Sequence, residues 1–287
     1  SHVLLGGHGG PPHREFEGRT QQARPYDPMR SRAILLCFLL AALLPSTVRA
    51  DEVLVSAAVS LTDAMKDIGA AFTRANRGTT VRFNFGASGA LQRQIEQGAP
   101  VDVFASASPK EMDALVKSHN IEVATRVDFV GNRLVLIAPA SSRLKRWEEL
   151  AAPTVRRIAL SNPDSVPSGR YARETLTQRK LWNSVQGKAV FGENVRQTLT
   201  YVASGDVDAG FVFSTDARTE KRVRVVQEAV PGKDHAPIVY PAAVVAHAPN
   251  RSAAHRFVTF LQGSTAQSIL SKYGFTSLRT VAHPIHK

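Results

Sequence analysis

Val53-Leu54-Val55-Ser56-Ala57-Ala58-Val59-Ser60-Leu61-Thr62-Asp63-Ala64-Met65 is the stretch on which the fold turns. Residues 53–57 are a short apolar run that reads as a buried strand. Within 61–74, apolar residues fall at Leu61, Met65, Ile68 and Phe72. Spacings of four, three and four predict an amphipathic helix. Between strand and helix, Ser60-Leu61-Thr62-Asp63 has the form of a capping box, with Asp where Glu is usual. A strand that feeds directly into a helix opens a βαβ unit.

The same rhythm continues downstream. Strands are expected at 80–85, 101–105 and 134–138, with helices at 90–96 and 110–117. Pro109 stands where a helix start favours it. The pattern then restarts: strands at 157–160, 209–213, 223–226 and 238–245, and helices at 169–180, 195–204, 253–261 and 266–272. Pro241 interrupts the run at 238–245 and weakens it as a strand. Strands separated by helices imply α/β architecture with mainly parallel sheets. The rhythm occurs twice with no Pro/Ser-rich linker between, so two lobes joined by crossing strands are expected, with 134–138 and 238–245 as the crossings.

Upstream, Met29-Arg30-Ser31-Arg32 is basic, residues 33–44 are apolar, and Val48-Arg49-Ala50 ends in a small residue. This is the form of a secretory signal peptide over 29–50, cleaved after Ala50. The apolar run is too short to span a bilayer. Cys37 lies inside that run behind Leu36, which is too large for a lipoprotein cleavage site. Residues 1–28 are Gly-, His- and Pro-rich without periodicity and read as a non-native or mis-started leader.

Removing the first fifty residues leaves 237 of 287 and takes away the one cysteine. Lys+Arg falls from 36 to 30 and Asp+Glu from 24 to 21, so the net charge drops from +12 to +9. A cysteine-free exported chain uses no disulfide or thiol chemistry. The basic runs 143–146 and 221–224 lack interleaved aromatics and read as solvated surface, so no nucleic-acid partner is expected. His119, His235, His247, His255, His283 and His286 form no i, i+4 pair or ligand cluster, and there is no Gly-x-x-x-x-Gly-Lys-[Ser/Thr] loop.

The informative residues are small and polar, and they stand at helix starts. Ser60, Gly86-Ala87-Ser88-Gly89-Ala90, Val166-Pro167-Ser168-Gly169 and Glu193-Asn194-Val195-Arg196 each open a helix, most of them near a strand end. Helix N-termini present unpaired N–H groups and partial positive charge, and Gly and Ser let an anion come close. Each alone reads as an ordinary cap. Together, near the carboxyl ends of α/β strands, they indicate an anion site. The same stretch admits a serine hydrolase, since residues 86–90 miss the Gly-x-Ser-x-Gly elbow only at Ala90, with Asp216 and His247 in the required order.

With these residues in view, the sequence resembles the periplasmic molybdate-binding proteins of bacterial ABC transporters. The resemblance runs from Asp51 to about Thr276. Its landmarks include 57–65, 88–95, Gly98-Ala99-Pro100-Val101-Asp102-Val103-Phe104-Ala105-Ser106-Ala107, Gly131-Asn132-Arg133-Leu134-Val135 and Tyr273-Gly274-Phe275. It implies a two-lobed periplasmic solute-binding fold of type II, each lobe a mixed, mainly parallel sheet flanked by helices, with the ligand cleft between lobes. Lobe 1 would comprise 51–133 and 241–287, and lobe 2 would comprise 134–240.

The resemblance also implies a monomeric binder, not an enzyme, without a cofactor, that delivers molybdate or tungstate to a membrane permease. Sulfate remains an alternative ligand. Ser60 and Ser88 match the family's two hydroxyl donors, while Ser168 and Val195 match its backbone N–H donors, which hold the metal through the oxyanion's oxygens. Phe213 stands where the family places a tyrosine, and a phenyl ring supplies no hydroxyl. Ser168 replaces the usual Ala, so its hydroxyl is expected to compensate in part. Arg170 reads as surface, with an electrostatic contribution to the anion as the second option.

Overall fold

A computed structural model describes residues 51–278. The predicted leader and signal peptide, Cys37, His283 and His286 lie outside the described residues. The chain begins β1 (Asp51–Ala58), α1 (Thr62–Ala75), β2 (Thr79–Gly86), α2 (Ser88–Glu96), β3 (Val103–Ala105), α3 (Pro109–Lys117) and β4 (Val127–Asn132). It continues β5 (Leu134–Pro139), β6 (Ile158–Ser161), α4 (Pro167–Gln178), α5 (Trp182–Val185), β7 (Ala189–Gly192), α6 (Val195–Ala203), β8 (Ala209–Phe213), α7 (Ser214–Ala217) and β9 (Val223–Glu228). It closes with β10 (Ile238–Val244), α8 (Arg251–Gln262) and α9 (Ser264–Lys272).

The apolar stripe of α1 behaves as its spacing requires. Leu61, Met65, Ile68 and Phe72 are all fully buried, and burying such side chains stabilises by roughly 1.5–3 kcal/mol each. Phe72 meets Phe257 of α8 edge to face at 5.2 Å.

Two five-stranded sheets form, in the orders β2-β1-β3-β10-β4 and β7-β6-β8-β5-β9. Each holds two parallel and two antiparallel pairings. The sheets are mixed, with a larger antiparallel share than the βαβ rhythm alone suggests. The antiparallel members are the strands on either side of the crossings. The chain leaves the first sheet through Arg133, between β4 and β5. It returns between β9 and β10, so all of β10 from Ile238 belongs to the first sheet.

Pro241 does not break β10. The register shifts between Tyr240 and Pro241, and a bulge is where a strand tolerates a residue without an N–H. Strands β4 and β7, with the short helices α5 and α7, are elements the hydrophobic pattern does not announce. Asp128 and Gly131 interrupt β4, and β7 is a four-residue edge strand with Phe191 exposed.

Candidate functional site

Parallel strands of both sheets end facing one another. Ala58 ends β1, Gly86 ends β2 and Phe213 ends β8, and all three line a small cavity of about 10 Å³. Ser60, Ser88, Ser168 and Val195 line the same cavity. The structure therefore brings all five residues expected from the sequence to one place, at the carboxyl ends of the strands where α/β folds bind ligands. Pockets for drug-sized molecules run to roughly 300–1,000 Å³; this cavity, with space for about one water, is closed to any such molecule. None of the residues around it is charged.

The polar groups present donors. Asn194 caps α6 by accepting from the N–H groups of Arg196 and Gln197, both at 3.0 Å. The N–H of Val195, one residue earlier, is left without an acceptor among the described residues. The N–H groups of Ser88 and Ser168, in the first turns of α2 and α4, are also unpaired there. The Ser88 hydroxyl oxygen accepts from the Ala107 N–H at 3.1 Å, which directs its own proton elsewhere. Ser60 Oγ lies 3.0 Å from the hydroxyl of Tyr240.

Ser60 and Asp63 do not form the expected capping box. Ser60 sits in a short 3-10 turn, Val59–Leu61, and caps nothing. Its hydroxyl turns to Tyr240, and the Asp63 carboxylate pairs with Arg196 at 2.8 Å. The tertiary partners outcompete a local cap whose acid is one methylene short.

The expected compensation by Ser168 is also corrected. Its hydroxyl donates to Ser161 Oγ at 2.9 Å, Ser161 lies 2.9 Å from Thr198 Oγ1, and Thr198 donates to the Asn194 carbonyl. A carbonyl only accepts, so every proton in this chain runs away from the cavity. Ser168 can meet a ligand through its N–H, not its hydroxyl. Phe213 is 1% exposed and packs its ring 5.9 Å from that of Tyr240.

Arg170 is neither surface nor ligand contact. It bonds Glu111 Oε1 at 2.8 Å and Ser108 Oγ at 3.1 Å, joining α4 of the second sheet's lobe to α3 of the first. Arg196 makes a parallel bridge from α6 to Asp63 of α1 and also holds Asp216 of α7. Burial works against the Arg196 charge, but Asp216 and Asp63 outweigh it and raise its pKa. A backbone bond, Gly89 N–H to Ser165 O at 3.1 Å, closes the lobes between these bridges.

The hydrolase geometry is not assembled. His247 is exposed and does not line the cavity, and Asp216 is engaged by Arg196. Among the described residues no group of three or more His, Cys, Asp or Glu could hold a metal ion. No helix there is long and apolar enough to cross a membrane.

Residues 53–276 match the family of bacterial extracellular solute-binding proteins. The chain belongs to that family. As a bacterial extracellular solute-binding protein it is a binder, not an enzyme, and works outside the cytoplasm. It is 41% identical over 225 residues to YvgL of Bacillus subtilis, provisionally named an ABC transporter substrate-binding lipoprotein; the match covers 78% of this chain and 85% of YvgL. The molybdate-binding protein ModA of Escherichia coli is 38% identical, with 79% of this chain and 90% of ModA covered. Among solved structures, the periplasmic molybdate-binding protein of Azotobacter vinelandii aligns with a TM-score of 0.70 at 26% identity, covering 78% of this chain and 98% of that one.

Tyr240 and Asn132 stand behind the site and escape the sequence pattern. Asn132 lies within residues 131–135, which carry the resemblance, but nothing in its spacing marks a polar partner for a residue 108 positions away.

Proposed function

We propose that this solute-binding protein captures molybdate, and tungstate of like charge and shape, and hands it to the permease of an ABC transporter. The observation that carries the reading is the cavity lined by donors and free of charge. A dianion taken from water needs its lone pairs satisfied, because unpaired burial of charge costs many kcal/mol. Unpaired N–H groups at the starts of α2, α4 and α6, with the hydroxyls of Ser60 and Ser88, offer that without a counter-ion. The donors come from both lobes, so ligand contacts favour closure. Hydrogen phosphate carries a proton and would meet no acceptor. Sulfate is smaller and would leave donors out of reach.

Export follows the signal peptide read over 29–50, with a monomeric mature protein beginning at Asp51 in the periplasm. Mass spectrometry of the secreted protein tests that start. Calorimetry with molybdate, tungstate, sulfate and phosphate tests the ligand. Molybdate and tungstate should bind tightly and phosphate should not; sulfate binding as tightly as molybdate would overturn the reading.

A further inference from the structure

We infer that Tyr240, held by Asn132, fixes the Ser60 hydroxyl as a donor into the cavity and so favours fully deprotonated oxyanions over those that carry a proton. This rests on the oxyanion reading of the site. Neither Tyr240 nor Asn132 lines the cavity. They act through Ser60 as positioning residues.

The direction of each proton follows from the partners. Asn132 Oδ1 accepts from the Arg133 N–H at 2.8 Å and from Ser214 Oγ at 3.3 Å. That fixes the carboxamide, because the N–H of Arg133 can only donate. The Asn132 amide nitrogen therefore faces Thr215 Oγ1 at 2.9 Å and the Tyr240 hydroxyl at 3.1 Å, and donates to both. Tyr240 is fully buried, and its hydroxyl has two hydrogen-bond partners among the described residues, Asn132 and Ser60. Since Asn132 donates to it, the one acceptor within reach of the Tyr240 proton is Ser60 Oγ.

The opposite arrangement, Ser60 donating to Tyr240, would leave a buried O–H unpaired, and such a group costs about 1–3 kcal/mol. With Tyr240 donating inward, the Ser60 proton is barred from that side. It turns to the cavity, and a hydroxyl that accepts a hydrogen bond is the stronger donor for it. Burial, opposed in part by the bonds to Ser60 and Asn132, holds the Tyr240 hydroxyl far above the ordinary tyrosine range, so the relay stays protonated.

Ser88 reaches the same result by another route, with the Ala107 N–H as its inward donor. Both hydroxyls of the first lobe are thus oriented from behind, one by backbone and one by a side-chain relay.

The test is a double-mutant cycle of Tyr240→Phe and Ser60→Ala in the full mature chain, read by calorimetry with molybdate and with phosphate. Tyr240→Phe keeps the ring that packs on Phe213 and Phe275. Expected is about a tenfold loss of molybdate affinity in the wild-type background, no further loss in Ser60→Ala, and a narrowed molybdate-to-phosphate ratio. Equal losses in both backgrounds, or an unchanged ratio, would overturn the relay. Thermal unfolding of each variant confirms folding. If Tyr240→Phe does not fold, the cycle is repeated with Asn132→Leu, with the same expected pattern. Should the wild type prefer sulfate, the molybdate reading fails while the cycle, run with sulfate, still decides the relay. If none of the four anions binds, both fail.

Discussion

At the scale of single residues, the site separates what a side chain is from where its proton points. Ser60, Ser88 and Ser168 are chemically equal in the sequence, yet two have their oxygens occupied from behind and one has its proton drawn away. This makes Ser168 a structural hydroxyl and a backbone donor. Ser168→Ala should change oxyanion affinity less than about threefold, because the N–H remains. It should lower stability by roughly 1–2 kcal/mol, because Ser161 loses a buried donor. Calorimetry and chemical denaturation of the same variant read the two effects separately; a tenfold loss of affinity at unchanged stability would reverse the assignment. The Phe213 ring offers no hydrogen-bond donor to the cavity, and the hydroxyl network around Ser168 directs none there either.

At the scale of elements, the longer helices and most strands were legible because each follows from a local period, whereas the one-turn helices α5 and α7 are too short to show one. The stripe of α1, the Asn194 cap of α6 and Pro109 at the start of α3 all occur where the sequence places them. The capping box did not survive, since Ser60 and Asp63 found stronger partners in Tyr240 and Arg196. Those partners lie 180 and 133 positions away, beyond the reach of any local pattern. The interlobe contacts were illegible for the same reason. Gly89 shows what they demand of an element: a Cβ there would stand 2.6 Å from the Ser165 carbonyl oxygen of the opposite lobe. Contact at that distance forces the lobes apart, while α2 itself gains a better helix former. Gly89→Ala should therefore leave thermal stability within a few degrees of wild type and weaken oxyanion binding at least tenfold. Small-angle scattering should show a larger radius of gyration. Unchanged scattering and affinity would mean that the loop at Ser165 yields instead.

At the scale of the whole molecule, the charges that matter for closure are few and paired across the lobes. Arg196 is the centre of one such group, between half-exposed Asp63 and fully buried Asp216. Asp216 does not behave as a simply stabilised carboxylate. Burial, the largest influence, pushes it up to about 6 from an ordinary 3.8, against the pull of Arg196 and with some help from Asp63. Its Oδ2 has no hydrogen-bond partner, which accounts for the uncompensated loss of water. The folded state thus holds the Asp216 proton more tightly than the unfolded chain does. Its contribution to stability is full below about pH 3.8 and is lost as the pH rises through about 6, the reverse of an ordinary paired carboxylate. A shift of about two units corresponds to roughly 3 kcal/mol at most. Asp216→Asn removes this titration while keeping the shape. The unfolding free energy of the wild type minus that of Asp216→Asn should therefore fall by up to about 3 kcal/mol between pH 4 and pH 7. Denaturant titrations at half-unit intervals measure that difference. A difference that rises with pH would show instead that the pairing with Arg196 outweighs burial, making Asp216 a net stabiliser of the closed form at neutral pH.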